Sequence, residues 1–394
     1  MTERAAHLVD SVLPSVPIRQ WVLSVPMRVR YLIAYNANLC SLIVKIFTRE
    51  VFRWYRRRGK NHLHQKSMAS LRCGSVTFIQ RAGSALNLNV HFHMLALDGV
   101  YAHHGWDQPP VFHALPAPND AEVEEVVFRI RKRIEEVLET HGYGTASSEV
   151  SGEIAHQEPL LAACVAGALR HGTGTGPNEG SRTRRLRSAH LMSDINRVQS
   201  SRCAAVGNYS LHANTRVPAG ARNKLEKLCR YVARPPLSNE LLAERPDGRI
   251  EYRLKRPWRD GTTAVVFKPL ELIERLVPLI PPPRTHQVRY HGVLASASSL
   301  RSFVVPRSAP RQHPRRRRNY SWAELMARAF EIDVLECPNC SGPMRLVATI
   351  MDRDVITAIL GSMGFPADSP KLAPAKPSLQ SGFEFEGDMG WDPA

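Results

Sequence analysis

The alternation of apolar and polar positions changes period several times along the chain, and each change predicts an element. Gln20 to Val25 (QWVLSV), bounded by Pro17 and Pro26, predicts a strand. Leu39, Leu42, Ile43, Ile46, Phe47, Val51 and Trp54 recur at helical spacing and predict a helix from Leu39 to Tyr55. Arg56, Arg57, Arg58 and Lys60 then place cations at its negative end. Strands follow at Ser75 to Gln80 and Leu86 to Leu97, with a turn at Asp98-Gly99 and a short strand from Val100. Asn119 or Asp120 caps a helix whose stripe runs through Val123, Val126, Val127, Ile130, Ile134, Val137 and Leu138. Such a stripe packs on a sheet.

Between 141 and 217 the period fades into Gly, Ser, Thr and Arg, which predicts a flexible insertion. Order returns with a helix from Ala221 to Arg234. Strands at Arg249 to Leu254 and Thr263 to Phe267 are flanked by Asp-Gly turns. A helix at Leu270 to Leu279, a break at Pro281-Pro282-Pro283 and a strand at Gln287 to Leu294 complete this part. The expected organisation is a domain in two pieces, 1–140 and 218–295, split by the insertion at 141–217. A basic linker at 296–318, containing Arg315 to Arg318, leads to a small C-terminal domain at 319–365. The polar, Pro-rich stretch at 366–394 reads as a disordered tail. The fold class is α+β, a mainly antiparallel sheet with helices on its faces.

Charge changes this picture most. Lys and Arg number 53 against 36 acids, a net +17, so a polyanionic partner such as nucleic acid is expected. The chain carries no apolar run long enough to span a bilayer and no signal-peptide pattern at its start, so no membrane is expected and the cytoplasm is. Five of the seven cysteines are scattered singly, which suits a reducing compartment; Cys337 and Cys340 form a CxxC.

Two segments carry candidate chemistry. As a strand, Asn87-Leu-Asn-Val-His91-Phe-His93-Met94 aims Asn87, Asn89, His91 and His93 at one face and Leu88, Val90, Phe92 and Met94 at the other. Imidazoles at i and i+2 can chelate a divalent ion, and the same pattern also fits a solvent-facing polar stripe. As a helix, Ala221 to Arg234 turns Ala221, Leu225, Leu228, Cys229 and Val232 to the core. Lys224, Lys227, Tyr231 and Arg234 share the opposite stripe. A tyrosine among three cations suits attack on a phosphodiester, and it also fits a basic solvated face. The CxxC is half of a tetrahedral zinc site, or a reduced pair at a tight turn.

LNLNVHFHMLALDGVY, LCRYVARPPLS, YRLKRPWRDGT, RYHGVLA and AFEIDVLECPNCSGPMRLVATI, in this order between Ala5 and Phe365, resemble the insertion-sequence ninety-one family of rolling-circle transposases. Their nuclease domains belong to the HUH class, named for two histidines flanking a hydrophobic residue. The resemblance implies His91 and His93 as ligands of Mg²⁺ or Mn²⁺ and Tyr231 as the nucleophile. It implies Lys224, Lys227 and Arg234 as DNA contacts, and single-stranded DNA and transposon ends as partners in a bacterial cytoplasm, at the nucleoid. Lys227 stands where the founding pattern has a second tyrosine, so this chain resembles the single-tyrosine branches. The family's N-terminal zinc module is expected to be lacking before Ala5, which leaves a catalytically inactive DNA-binding remnant as the alternative. Gln80, His286 and His291 are the candidates for a further ligand. A metal-dependent amidohydrolase also uses HxH on a strand, but it needs eight βα units, and the hairpin signals oppose that topology.

Overall fold

The computed structural model describes residues 2–366 except 104, 106–107, 145–157, 189–200, 259 and 307–319. The Arg315 to Arg318 run and residues 367–394 of the expected tail therefore lie outside the described residues, as does much of the expected insertion. The fold is α+β.

Fourteen strands are described: β1 Ile18–Ser24, β2 Leu71–Arg72, β3 Gly74–Ala82, β4 Leu88–Leu97, β5 Gly99–Ala102, β6 Val111–Ala114, β7 Arg184–Arg187, β8 Cys203–Val206, β9 Tyr209–His212, β10 Arg216–Val217, β11 Leu242–Glu244, β12 Ile250–Arg253, β13 Thr262–Phe267 and β14 Val288–Gly292. The largest sheet runs β14-β3-β4-β1-β9-β8, with β10 also pairing β1, and every pairing in it is antiparallel. A four-stranded sheet runs β11-β12-β13-β7, and a three-stranded one β2-β5-β6.

Strict alternation in β4 divides the core in two. Leu88, Val90, Phe92, Met94 and Ala96 pack on one face beneath three helices: α2 (Met27–Tyr35), α3 (Ala37–His62) and α4 (Asp120–Thr140). Leu95 and Leu97 on the other face pack with α1 (Thr2–Ser11) and with the helix Arg222–Val232, here called the tyrosine helix. α4 begins at a reciprocal cap: Asn119 Oδ1 accepts from the Glu122 amide at 2.8 Å, and Glu122 Oε2 accepts from the Asn119 amide at 2.9 Å.

Asp98, expected simply as a turn residue, is fully buried and anchors β1 to β4. Its carboxylate accepts from Arg19 Nε and Nη2, both at 2.9 Å, from Arg216 Nε at 2.9 Å and from the Tyr55 hydroxyl at 3.0 Å. Gly99 follows because a Cβ there would lie 2.2 Å from the His113 carbonyl of β6.

Two expectations differ from the structure. Within 141–217, Pro159–Leu169 is a helix that buries Val165 and Leu169 in the larger core, and β8 and β9 extend the largest sheet. β7 joins the second sheet. Short strands with half-exposed faces carry too few apolar positions to show a period, and pairing with distant strands fixes them. Within 319–365, none of residues 321–366 is buried, so the described part of this segment has no core of its own. Its helix Trp322–Phe330 instead docks on α1 and the tyrosine helix through Arg328, which pairs with Asp10 at 2.7 Å and Glu226 at 3.3 Å.

Candidate active site

Antiparallel register assembles the site on the α1 side of the largest sheet. His91 lies opposite Ser24 on β1 and Gln80 on β3, and His93 lies opposite Val22 and Phe78. Opposed residues share a face, so Gln80 stands beside His91. The two imidazoles are 4.9 Å apart, centroid to centroid, and edge to face. The tyrosine helix crosses this face, held by Leu225, Leu228, Cys229 and Val232, and by Gln80 Nε2 donating to the Val232 carbonyl at 2.8 Å. That crossing places the Tyr231 ring 6.1 Å from His93. The Arg234 guanidinium lies 4.4 Å over the Tyr231 ring.

The tautomers of the two histidines have visible causes. His91 Nδ1 is 2.7 Å from the Asn89 carbonyl, an acceptor only, so Nδ1 carries the proton and Nε2 the lone pair. His93 is buried, and burial first, then the charges of His91, Arg234 and His212, hold its pKa well below the ordinary histidine value. It is a neutral ring, as metal ligation requires. Its Nδ1 lies 2.6 Å from Gln20 Nε2, and its buried Nε2 has no hydrogen-bond partner among the described residues. The two orientations of the Gln20 amide select the two tautomers of His93. With the oxygen towards Nδ1, the lone pair sits on Nε2.

The structure thus brings His91, His93, Tyr231 and Arg234 together. Lys227, on the same helix, pairs with Glu331 at 3.7 Å, and Lys224 is exposed one turn earlier. Of the three candidates for a further ligand, Gln80 shares the site's face. His291 does not: it lies opposite Ser75, which pairs with Ala96 on the other side of the sheet. His286 is exposed ahead of β14. Among the described residues no group of three or more His, Cys, Asp or Glu is placed to hold a metal ion. Cys337 and Cys340 form a turn in which the Cys337 carbonyl accepts from the Ser341 amide at 2.9 Å. Hydrogen bonds from the Asn339 and then the Cys340 backbone lower the Cys337 thiol pKa.

Gln20 and His212 escape the sequence reading. His212 on β9 lies opposite Val22 just as His93 does on the other flank, and its Nε2 is 3.4 Å from Cys203 Sγ. The signal for Gln20 was a polar residue inside an apolar strand. Of the basic clusters, Arg57 and Arg58 pair with Glu125 and Glu122, and Arg185 and Arg187 pair with Asp260.

Residues 74–301, more than half of the chain, match the family model described as "Putative transposase", and the chain belongs to that transposase family. That span contains the His91–His93 strand and the tyrosine helix. The chain is also similar to a protein named "Putative transposase y4qJ" from Sinorhizobium fredii (strain NBRC 101917 / NGR234), with 28% identity over 145 residues. The match covers 34% of this chain and 35% of that protein, about a third of each. No solved structure matches. No helix among the described residues is long and apolar enough to cross a membrane.

Proposed function

We propose that this chain nicks and transfers single-stranded DNA in rolling-circle transposition through a covalent 5′-phosphotyrosine intermediate on Tyr231. The observation that carries the reading is the Tyr231 ring 6.1 Å from a buried, neutral His93, under the Arg234 guanidinium. A nucleophile, a pair of imidazole ligands and a phosphate-binding cation then serve one reacting centre.

The residues present fit a divalent ion in part. His91 and His93 would hold the ion through their Nε2 atoms, with the amide oxygen of the neighbouring Gln80 as a further donor. When bound, Mg²⁺ or Mn²⁺ supplies Lewis-acid polarisation of the scissile phosphate. The Asn89 carbonyl fixes the tautomer of His91, and Gln20 would do the same for His93 with its amide oxygen turned towards Nδ1. Lys224, Lys227 and Arg234 bind and orient the strand through its phosphates. Tyr231 Oη forms the bond to phosphorus while the bond from phosphorus to the 3′-oxygen breaks. The proton that the tyrosine loses balances the one that the 3′-oxygen gains. Because the new phosphodiester keeps the bond energy of the old one, rejoining to a 3′-hydroxyl consumes no nucleotide triphosphate. Transposon ends are the proposed natural substrate, in the bacterial cytoplasm.

The test is incubation of the full chain with a 3′-labelled single-stranded oligonucleotide and Mn²⁺, followed by denaturing electrophoresis. A labelled band at the size of the protein plus DNA, lost with chelator, is expected. DNA binding with no covalent band would replace this reading by that of an inactive DNA-binding remnant.

A further inference from the structure

On the face of the sheet opposite the His–Tyr centre, α3 and β14 enclose a cleft of about 850 Å³. Its described lining includes Lys45, Arg49, Arg56, Arg72 and Arg289 and no Asp or Glu. Glu50, next to Arg49 in sequence, turns away to Arg133, which it meets at 2.7 Å, against 3.7 Å to Arg49. Arg58 and Arg57, further along α3, are occupied by Glu122 and Glu125. Positive charge is therefore concentrated at this cleft and balanced beside it.

Arg56, Thr48 and His291, which line the cleft, each carry a buried side-chain atom, Nε, Oγ1 and Nε2, with no hydrogen-bond partner among the described residues. Ser75 Oγ, directly across the ladder from His291, is in the same condition. Buried polar atoms are normally paired. Five cations with no carboxylate among the residues that line the cleft call for an anion. Gly292 keeps the wall thin: its φ is +61°, and a Cβ there would lie 2.0 Å from the Cys73 carbonyl.

We propose that this cleft binds a phosphodiester group of a DNA strand, as a second contact surface on the far side of the sheet from Tyr231. The proposal rests on the reading of the chain as a DNA-strand transferase but is tested apart from it. Lys45 and Arg49 stand one helical turn apart and exposed, and Arg56 further along α3 is half-buried, so positive charge continues from the cleft onto the surface. A polymer uses such a continuation; a free phosphate does not.

Strand affinity is measured by fluorescence anisotropy across a salt series with the Tyr231→Phe full chain, so that no strand is cut. Lys45→Glu/Arg49→Glu is compared with Arg129→Glu/Lys132→Glu, an equal charge change on α4. The cleft variant should flatten the log–log salt slope by about 1.4, at about 0.7 for each phosphate no longer neutralised, and the α4 variant should leave the slope unchanged. Equal slopes in the two variants overturn the proposal. Lysine acetylation read by mass spectrometry gives a second measurement in the unmutated protein. Lys45 should be protected by the oligonucleotide and not by inorganic phosphate at the same phosphate concentration. Protection by phosphate alone would make this a small-anion site and overturn the strand contact. If the unmutated chain forms no Tyr231 adduct, the function proposed above fails while both cleft measurements remain readable, because they require binding only.

Discussion

Replacing Asp98 by Ala should cost more stability than almost any other single change in this fold. The carboxylate is fully buried, and Arg19, its bidentate partner, is 1% exposed. Truncation removes both Arg19 contacts and those of Arg216 and Tyr55, and among the described residues leaves the buried Arg19 guanidinium only the Ala213 carbonyl, at 2.8 Å, to accept from it. Breaking a buried pair on one side costs about 3–5 kcal/mol, a large share of the roughly 5–15 kcal/mol that holds a whole domain. Arg216 adds little to the loss, since its side chain is 42% exposed and can turn to water. The pair also locks β1 against β4, and a slip of one residue there would turn His91 and His93 to the wrong face. The assay is urea unfolding followed by tryptophan fluorescence, because Trp21 donates to Tyr55 at 3.2 Å within the same network. Arg19→Met/Asp98→Leu should unfold at a higher urea concentration than Asp98→Ala, since the double change leaves no orphaned charge. A loss below about 1 kcal/mol in Asp98→Ala, or a double variant as weak as the sum of the singles, would refute this account of the anchor.

Stability should be flat between about pH 6.5 and 8 and fall as pH drops towards 4. Burial holds His171 and His291 at about 4 and His93 well below its ordinary value, so the unfolded chain binds protons that the folded one refuses. A displacement from 6.5 to about 4 is worth about 3 kcal/mol per ring, and urea midpoints that stay constant down to pH 4 would contradict it. Gln20→Leu removes the group that orients His93 and should weaken Mn²⁺ binding by about 10- to 100-fold in calorimetry, with an unchanged affinity arguing that the ring is oriented by packing alone. His91→Ala/His93→Ala should abolish that binding; retained binding would reduce the pair to a polar strand face.

Elements whose signal lies within a few residues were legible. β4 alternates without a break, Asn119 caps α4, and the tyrosine helix buries four of the five side chains its spacing assigns to the core, with Ala221 half-buried at the cap. β8 and β9 were not recognised, although the Gly207-Asn208 pair between them was a usable hairpin signal: both residues have positive φ, +54° and +65°. α2 has no side-chain cap and mixes cations with aromatics, so tertiary packing settles it. The pairing of His91 with His93 follows from strand period, and the Tyr231 stripe from helix period. What brings them together does not, because β1 and the tyrosine helix meet β4 across long stretches of chain. Gln20, His212 and the buried role of Asp98 belong to that non-local register.

The most direct test of the central claim is to digest the covalent protein–DNA complex and locate the nucleotide by mass spectrometry. It should sit on the peptide containing Tyr231, through a phosphate at the 5′ end, and the Tyr231→Phe protein should give no adduct while binding the strand with nearly unchanged affinity. A nucleotide on Tyr209, Tyr252 or Tyr290, or an undiminished adduct in Tyr231→Phe, would contradict the account.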